Sequence, residues 1–339
     1  MGVNSDQAGG SDTSSLVSEF TVRVRNHRFG RLAVTMLPAT GWLTVFLLLP
    51  LTVMLYFSLG QVGGYGTFYL ALEDLGIHQY TRFFLPDETG VSGSILLTGG
   101  WLLEQLFPVD VVTGEPTAYV KLLFKSLWFG VQTTVVTLAI GYPLAYFIAR
   151  IAPEKYRDVL LVAVVLPFWA SFLARVYAIK ILLSQNSILM RVLGSLPGVP
   201  QSISLMNSQE AVLFGLVYMW LPFMVLPIYT DLERFDFRLH EAAMDLGADR
   251  IAAFRYVTLP RSKQGIVTGT SLVFIIASGS YVIPELLGGP NSQMIGNLIA
   301  HEFGAAGNWP FGAAVSFVMM TVILLLTLGY YWAITGGEA

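Results

Sequence analysis

Six stretches of this chain, at about residues 32–59, 122–149, 159–183, 211–230, 266–287 and 311–334, are apolar almost throughout. Crossing ~30 Å of hydrocarbon as a helix takes about 20 such residues. Most of these stretches are too long and too uniformly apolar to be core helices of a soluble domain. They predict an all-α integral membrane protein with six transmembrane helices. The charge content agrees: 12% of the 339 residues are charged, about half the share of an ordinary soluble domain, roughly 25%. Apolar types make up 54%, and the mean hydropathy is +0.64. Pro38, Pro50, Pro143, Pro167, Pro222 and Pro284 lie inside the stretches or at their ends. Membrane helices tolerate this because neighbouring helices and Ser/Thr side chains satisfy the carbonyls that proline frees.

Lysine and arginine set the orientation, since cytoplasmic loops carry their excess. With the N-terminus inside, the inner side holds thirteen: Arg23, Arg25, Arg28, Arg31, Arg150, Lys155, Arg157, Arg234, Arg238, Arg250, Arg255, Arg261 and Lys263. The outer side holds four: Arg82, Lys121, Lys125 and Arg191. The expected organisation is a cytoplasmic tail over residues 1–30 and a transmembrane domain over 31–339, both termini facing the cytoplasm. A cleaved leader would place its apolar run directly after a short basic start; here the run begins near Leu32. Residues 61–121 form a long outer loop whose semi-apolar piece at 95–107 is either an interfacial helix or a packed loop.

Several classes fall away. The net charge of −3 has no strongly basic balance, so nucleic acid is not an expected partner. There is no cysteine, and the four histidines are scattered, with His240 and His301 each beside a glutamate as solvated surface residues. No metal site, catalytic residue or bound cofactor is expected in this chain. It has no GxxxxGK[ST] loop for nucleotide phosphates. An ion-coupled secondary transporter would show internal repeats and midplane acids; neither is evident.

The loop at 238–260 is the most informative segment. Leu239, Ala242, Ala243 and Leu246 recur at helical spacing, predicting a short amphipathic helix. Gly247 suits the left-handed position that ends it. Asp249 can cap a second helix with Ile251, Phe254 and Val257 on its apolar face, and Pro260 is expected to help stop it. Ala242 and Ala243 let the backbone approach another surface closely. On physics alone two readings stand side by side: a rigid knob for a soluble partner, or an amphipathic helix resting on the bilayer.

The pattern Glu241-Ala242-Ala243, three residues, Gly247, nine residues, one further position, then Thr258-Leu259-Pro260 resembles the "EAA" signature of binding-protein-dependent ABC importer permeases. Further stretches look like spermidine/putrescine permeases: TLAIGYPLAYFIAR at 137–150, LPFWASFLARVY at 166–177, LPFMVLPIYTDL at 221–232, VIPELLGGP at 282–290 and NWPFGAA at 308–314. The resemblance implies a type I ABC importer permease fold whose coupling helix lies between the fourth and fifth spans, in a bacterial inner membrane. It makes Glu241, Ala242, Ala243, Asp245, Gly247, Leu259 and Pro260 the residues that meet an ATPase. The implied partners are a homodimeric ATP-binding subunit carrying ATP and magnesium, a second homologous permease, a periplasmic or secreted solute-binding protein and membrane lipid. The implied solute is a small organic cation such as spermidine or putrescine, moved by alternating access; other amines, amino acid-like solutes or amino-phosphonates are the alternatives. Two departures stand out. Residues 87–117 read as an insertion, and Ser280 occupies the place, one before the aromatic Tyr281, where many relatives carry an acid.

Polar groups inside a membrane are expensive and so mark function. Arg175 lies ~16 residues into the third stretch, ~24 Å along a straight helix, in its outer third. It can line a pathway or pair with a carboxylate in a neighbouring chain. Trp169, Tyr177, Trp220 and Tyr281 can stack on alkyl-ammonium groups by cation–π contact or simply pack. Glu285 can meet an ammonium group or serve as a helix-end salt bridge. Asp231 and Glu233, at the inner end of the fourth stretch, contribute to a gate surface or to solvation.

Overall fold

The computed structural model describes residues 28–62, 68–69, 75–84, 118–185, 187–194 and 205–335. The tail before residue 28, the 87–117 insertion and the 95–107 piece lie outside the described residues. The chain divides into two units, Met1–Phe57 and Ser58–Ala339. In its described part the first is helix α1, Arg28–Ser58, whose 20 residues Ala39–Ser58 are apolar enough to cross a bilayer.

Among its described residues, the second unit is helical apart from an antiparallel ribbon of two residues per strand, β1 (Gln61–Val62) with β2 (Phe68–Tyr69). Its helices are α2 (His78–Phe84), α3 (Ala118–Tyr146), α4 (Glu154–Val165), α5 (Phe172–Leu183), α6 (Ile188–Gly194), α7 (Gln209–Arg234), α8 (Arg238–Asp245), α9 (Arg250–Ala253), α10 (Lys263–Ser278), α11 (Val282–Leu287), α12 (Ile295–Phe303) and α13 (Trp309–Thr335). α3, α7 and α10 pack against one another most extensively. Their contact depends on small residues: a Cβ on Gly265 of α10 would lie 2.6 Å from the Pro227 carbonyl of α7, so only glycine allows this approach. Around them lie three apolar clusters. One joins Phe129 to α5, α7 and α11. A second joins Tyr142, Ile148, Met224 and Ile228. A third joins Phe83 to Phe311 and Val315.

Four described helices are long and apolar enough to cross a membrane, and a fifth crossing follows if the bent pair α4–α5 is counted as one. Two predicted spans are therefore not straight. The third turns through 93° between α4 and α5. Pro167 opens a tight 3-10 turn over Leu166–Trp169, and Ala170 and Ser171 are extended. The straight-helix depth of ~24 Å for Arg175 therefore does not apply. The fifth breaks between α10, 16 residues long, and α11. Sixteen residues reach ~24 Å, short of the hydrocarbon. The break is braced from α12: Asn297 donates to the Tyr281 carbonyl at 3.0 Å, and Gly296 packs so closely that a Cβ there would meet the Ser280 carbonyl at 2.7 Å.

Candidate functional site

The loop between α7 and α10 has a defined shape. α8 ends at Leu246, Gly247 takes φ +98°, and the Ala248 amide returns to the Ala243 carbonyl at 3.0 Å. A side chain in that backbone region is strained. The Asp249 carboxylate then caps α9, accepting from the Ala252 amide at 2.6 Å. α9 does not end at Pro260. It widens into a π-turn over Phe254–Thr258 and continues through Leu259–Arg261 before turning at Ser262 into α10. The Leu259 amide reaches back to Phe254, so the wide turn absorbs the missing proline N–H instead of breaking the helix.

This end of the bundle is tied by polar groups from five elements. A second π-turn, Phe147–Ile151, prolongs α3. Its Arg150 forms an ion pair with Glu241 and places its guanidinium 4.9 Å from the Phe237 ring centre. The Gly265 amide donates to Asp231, and Tyr229 donates to Glu233 at 2.8 Å. Tyr142 and Ser262 share a buried hydrogen bond of 3.0 Å. His240 was expected at the surface beside Glu241. It is buried instead, with Nδ1 2.9 Å from the Thr258 hydroxyl. This bond staples α8 to the π-turn after α9. Sequence reasoning missed it because the partner lies eighteen positions away and a π-turn leaves no periodic signature.

The loop turns outward a mixed surface, in which large apolar side chains stand among exposed charged ones, Arg238, Glu241, Asp245, Asp249, Arg250 and Arg255. Leu246 is 90% exposed and Ile251 75%; Ala242, Asp245, Leu259 and Pro260 are exposed, and Ala243 is half-buried. Burying a leucine side chain on another surface is worth ~1.5–3 kcal/mol. Tied from behind, the loop presents Leu246 and Ile251 among charged side chains on a surface of defined shape.

The pathway candidates separate into two groups. At the α4–α5 bend, Arg175 is 8% exposed, while Trp169 is 85% exposed and Tyr177 is exposed. Arg175 stands 4.7 Å from the Phe168 ring centre and 6.0 Å from that of Phe172. Trp220 of α7 stacks on Phe172 at 6.3 Å. At the α10–α11 break, Tyr281 and Glu285 are exposed, and Asn297 donates to Glu285 at 2.8 Å. Asn297 is a polar residue that the sequence gave no reason to select, because its partners Tyr281 and Glu285 are brought to it only by the break. No cluster able to hold a metal occurs among the described residues.

A helical membrane body with a preformed helix–glycine–helix contact element is the geometry of a transport subunit. The family model described as "Binding-protein-dependent transport system inner membrane component" matches residues 124–334. The chain belongs to that family: it is an ABC importer permease, a transport component of the inner membrane rather than an enzyme. It is similar to the spermidine/putrescine transport system permease protein PotB of Haemophilus influenzae, 35% identical over 92% of this chain and 96% of that one. PotB of Escherichia coli is 37% identical over 74% of this chain and 90% of that one. The fold is shared with a chain of a bacterial ABC transporter involved in the import of the acidic polysaccharide alginate. That match has a TM-score of 0.64 at 15% identity, covering 96% of this chain and all of the other. An inward-facing MetNI methionine ABC transporter chain matches with a TM-score of 0.50 at 16% identity, over 65% of this chain and 96% of that one.

Proposed function

We propose that this chain is one of two paired permeases of an ATP-driven importer for a small organic cation, a polyamine such as spermidine or putrescine. It crosses the membrane six times, counting the bent and broken segments as crossings, with both termini in the cytoplasm. The likeness to the two PotB proteins over most of the chain carries this reading. A periplasmic binding protein delivers the solute, and a separate pair of ATP-binding subunits supplies the energy with ATP and magnesium. α8, with Glu241, Ala242, Ala243 and Asp245, docks on an ATP-binding subunit. Gly247 fixes its angle to α9, and Leu259 and Pro260 continue the path into α10. His240 ties α8 to the turn that leads into α10 and Arg150 ties it to the end of α3, so a displacement at α8 reaches both helices. A ligand or nucleotide shifts the equilibrium only through contacts that differ between the inward-open and outward-open states. Those contacts are the exposed side chains of α8 and the Gly247 turn.

Tyr281 and Glu285 offer an ammonium group an aromatic face and a carboxylate, and Asn297 orients the carboxylate. They suit a cation better than the α4–α5 bend, where Arg175 would repel one. The direct test is ATP-dependent uptake of labelled spermidine and putrescine by vesicles holding the whole assembly. Uptake that needs ATP and is competed by either polyamine supports the reading. Uptake of a different amine alone would move the solute assignment and trace to Ser280, while uptake driven by an ion gradient without ATP would overturn the reading.

A further inference from the structure

At the bend between α4 and α5 two nitrogen donors are enclosed with nothing to receive them. Arg175 Nε and Trp220 Nε1 are both buried and lack a hydrogen-bond partner. No acid among the described residues pairs with Arg175, whose guanidinium stands 4.7 Å from the Phe168 ring centre and 6.0 Å from that of Phe172. Contacts of that kind are worth ~0.5–2 kcal/mol each, against an effective penalty of several kcal/mol for burying one ion. The rings do not balance the charge. An acceptor from outside this chain does.

The surroundings restrict what that acceptor is. Leu166, Trp169, Leu173 and Tyr177 are all exposed around the bend, a collar of apolar surface about one buried cation. The exposed surface of α13 is different: Leu324, Leu325, Leu328 and Trp332 are exposed, and the helix contains no charged residue. α13 suits lipid, whereas a buried cation within an apolar rim is the composition of a desolvated contact between chains. Charged side chains within membrane segments face the interior of a bundle and pair there. We propose that Arg175 is one half of an ion pair completed by an aspartate or glutamate of a second membrane-embedded chain seated on the α4–α5 bend. This rests on the reading that the chain works beside a second permease. The guanidinium's fork donates two parallel hydrogen bonds to a carboxylate. Arg175 then marks a permease–permease contact, and the solute passes elsewhere.

The test uses the complete transporter in its membrane, with p-benzoylphenylalanine introduced at Leu173. Light is expected to join this chain to the second permease, at a site within one helical turn of an acid. Arg175→Glu is expected to lower recovery of the second permease with a tagged chain at least about tenfold, the scale of a buried charge left unpaired. Reversing the mapped acid as well is expected to restore it. An adduct with lipid alone, while the second permease co-purifies, overturns the ion pair and leaves the importer reading standing. An adduct on the second permease remote from any acid also overturns the ion pair. A transporter without a second membrane chain overturns both.

Discussion

At the α8–α9 end, Arg150, Asp231, His240 and Tyr142 each find a partner on another element, and the surface left over mixes apolar and charged side chains. At the α4–α5 bend, Arg175 Nε and Trp220 Nε1 are enclosed with no partner. Both regions interrupt a helix, yet one is finished within the chain and the other is not. A finished region moves as a unit, which is what transmitting a displacement requires. An unfinished one waits for groups supplied by another molecule. On the proposed reading, the difference separates the contact with an ATP-binding subunit from the contact with a second permease.

The largest expected effect strikes the finished end where α7 and α10 meet. Gly265→Leu must push Pro227 and Ile228 aside, since even a Cβ would stand 2.6 Å and 3.0 Å from their backbone atoms. Overpacking of this kind is expected to destabilise by about 3 kcal/mol or more, read as a lowered unfolding temperature in detergent. Full stability would mean that the close approach is not what holds α10. Gly247→Val comes next, with strain of about 1–3 kcal/mol confined to the turn. Uptake is expected to fall at least about tenfold, the rate equivalent of about 1.4 kcal/mol, while the protein stays in the membrane and ATP hydrolysis continues. Wild-type uptake would separate the glycine from coupling.

How far the sequence carried these regions differs for a physical reason. Six apolar stretches, the α8–α9 loop and the capping Asp249 are local properties: hydropathy, period and cap chemistry reside within a few residues. Hydropathy counts residues and does not trace their path, so the 93° turn after Pro167 and the break before Tyr281 read as continuous spans. Pro167 was the available signal at the first; Gly279 beside Ser280 was the available signal at the second. Arg175 stands out in the sequence as a charge within an apolar stretch, but its burial, its missing partner and its place beside Phe168 needed the fold. Pro260 was read as a stop because a proline N–H is missed in an α-helix, and the π-turn before it removes that conflict. His240 and Asn297 were invisible as functional residues, since each acquires its role from groups on another element.

His240→Ala sharpens the comparison on a smaller scale. It leaves the buried Thr258 hydroxyl without its partner, so a loss of about 1–2 kcal/mol is expected. Spin labels on α8 should show a wider range of positions against α10; an unchanged range would mean the staple does not stiffen the loop. Arg150→Met is expected to cost less than about 1 kcal/mol, because the Arg150 and Glu241 side chains are 38% and 54% exposed and such pairs are worth little. A larger loss would give that pair a structural weight that its exposure does not suggest.

The chain contains no cysteine, so Ala242→Cys places one thiol on the exposed face of α8. Cross-linking that thiol in the complete transporter, with and without ATP, asks directly whether α8 sits on the motor. The account expects a covalent product with the ATP-binding subunit whose yield changes when ATP binds. A thiol that reacts only with reagents dissolved in lipid, while the ATP-binding subunit is present in the complex, would contradict it.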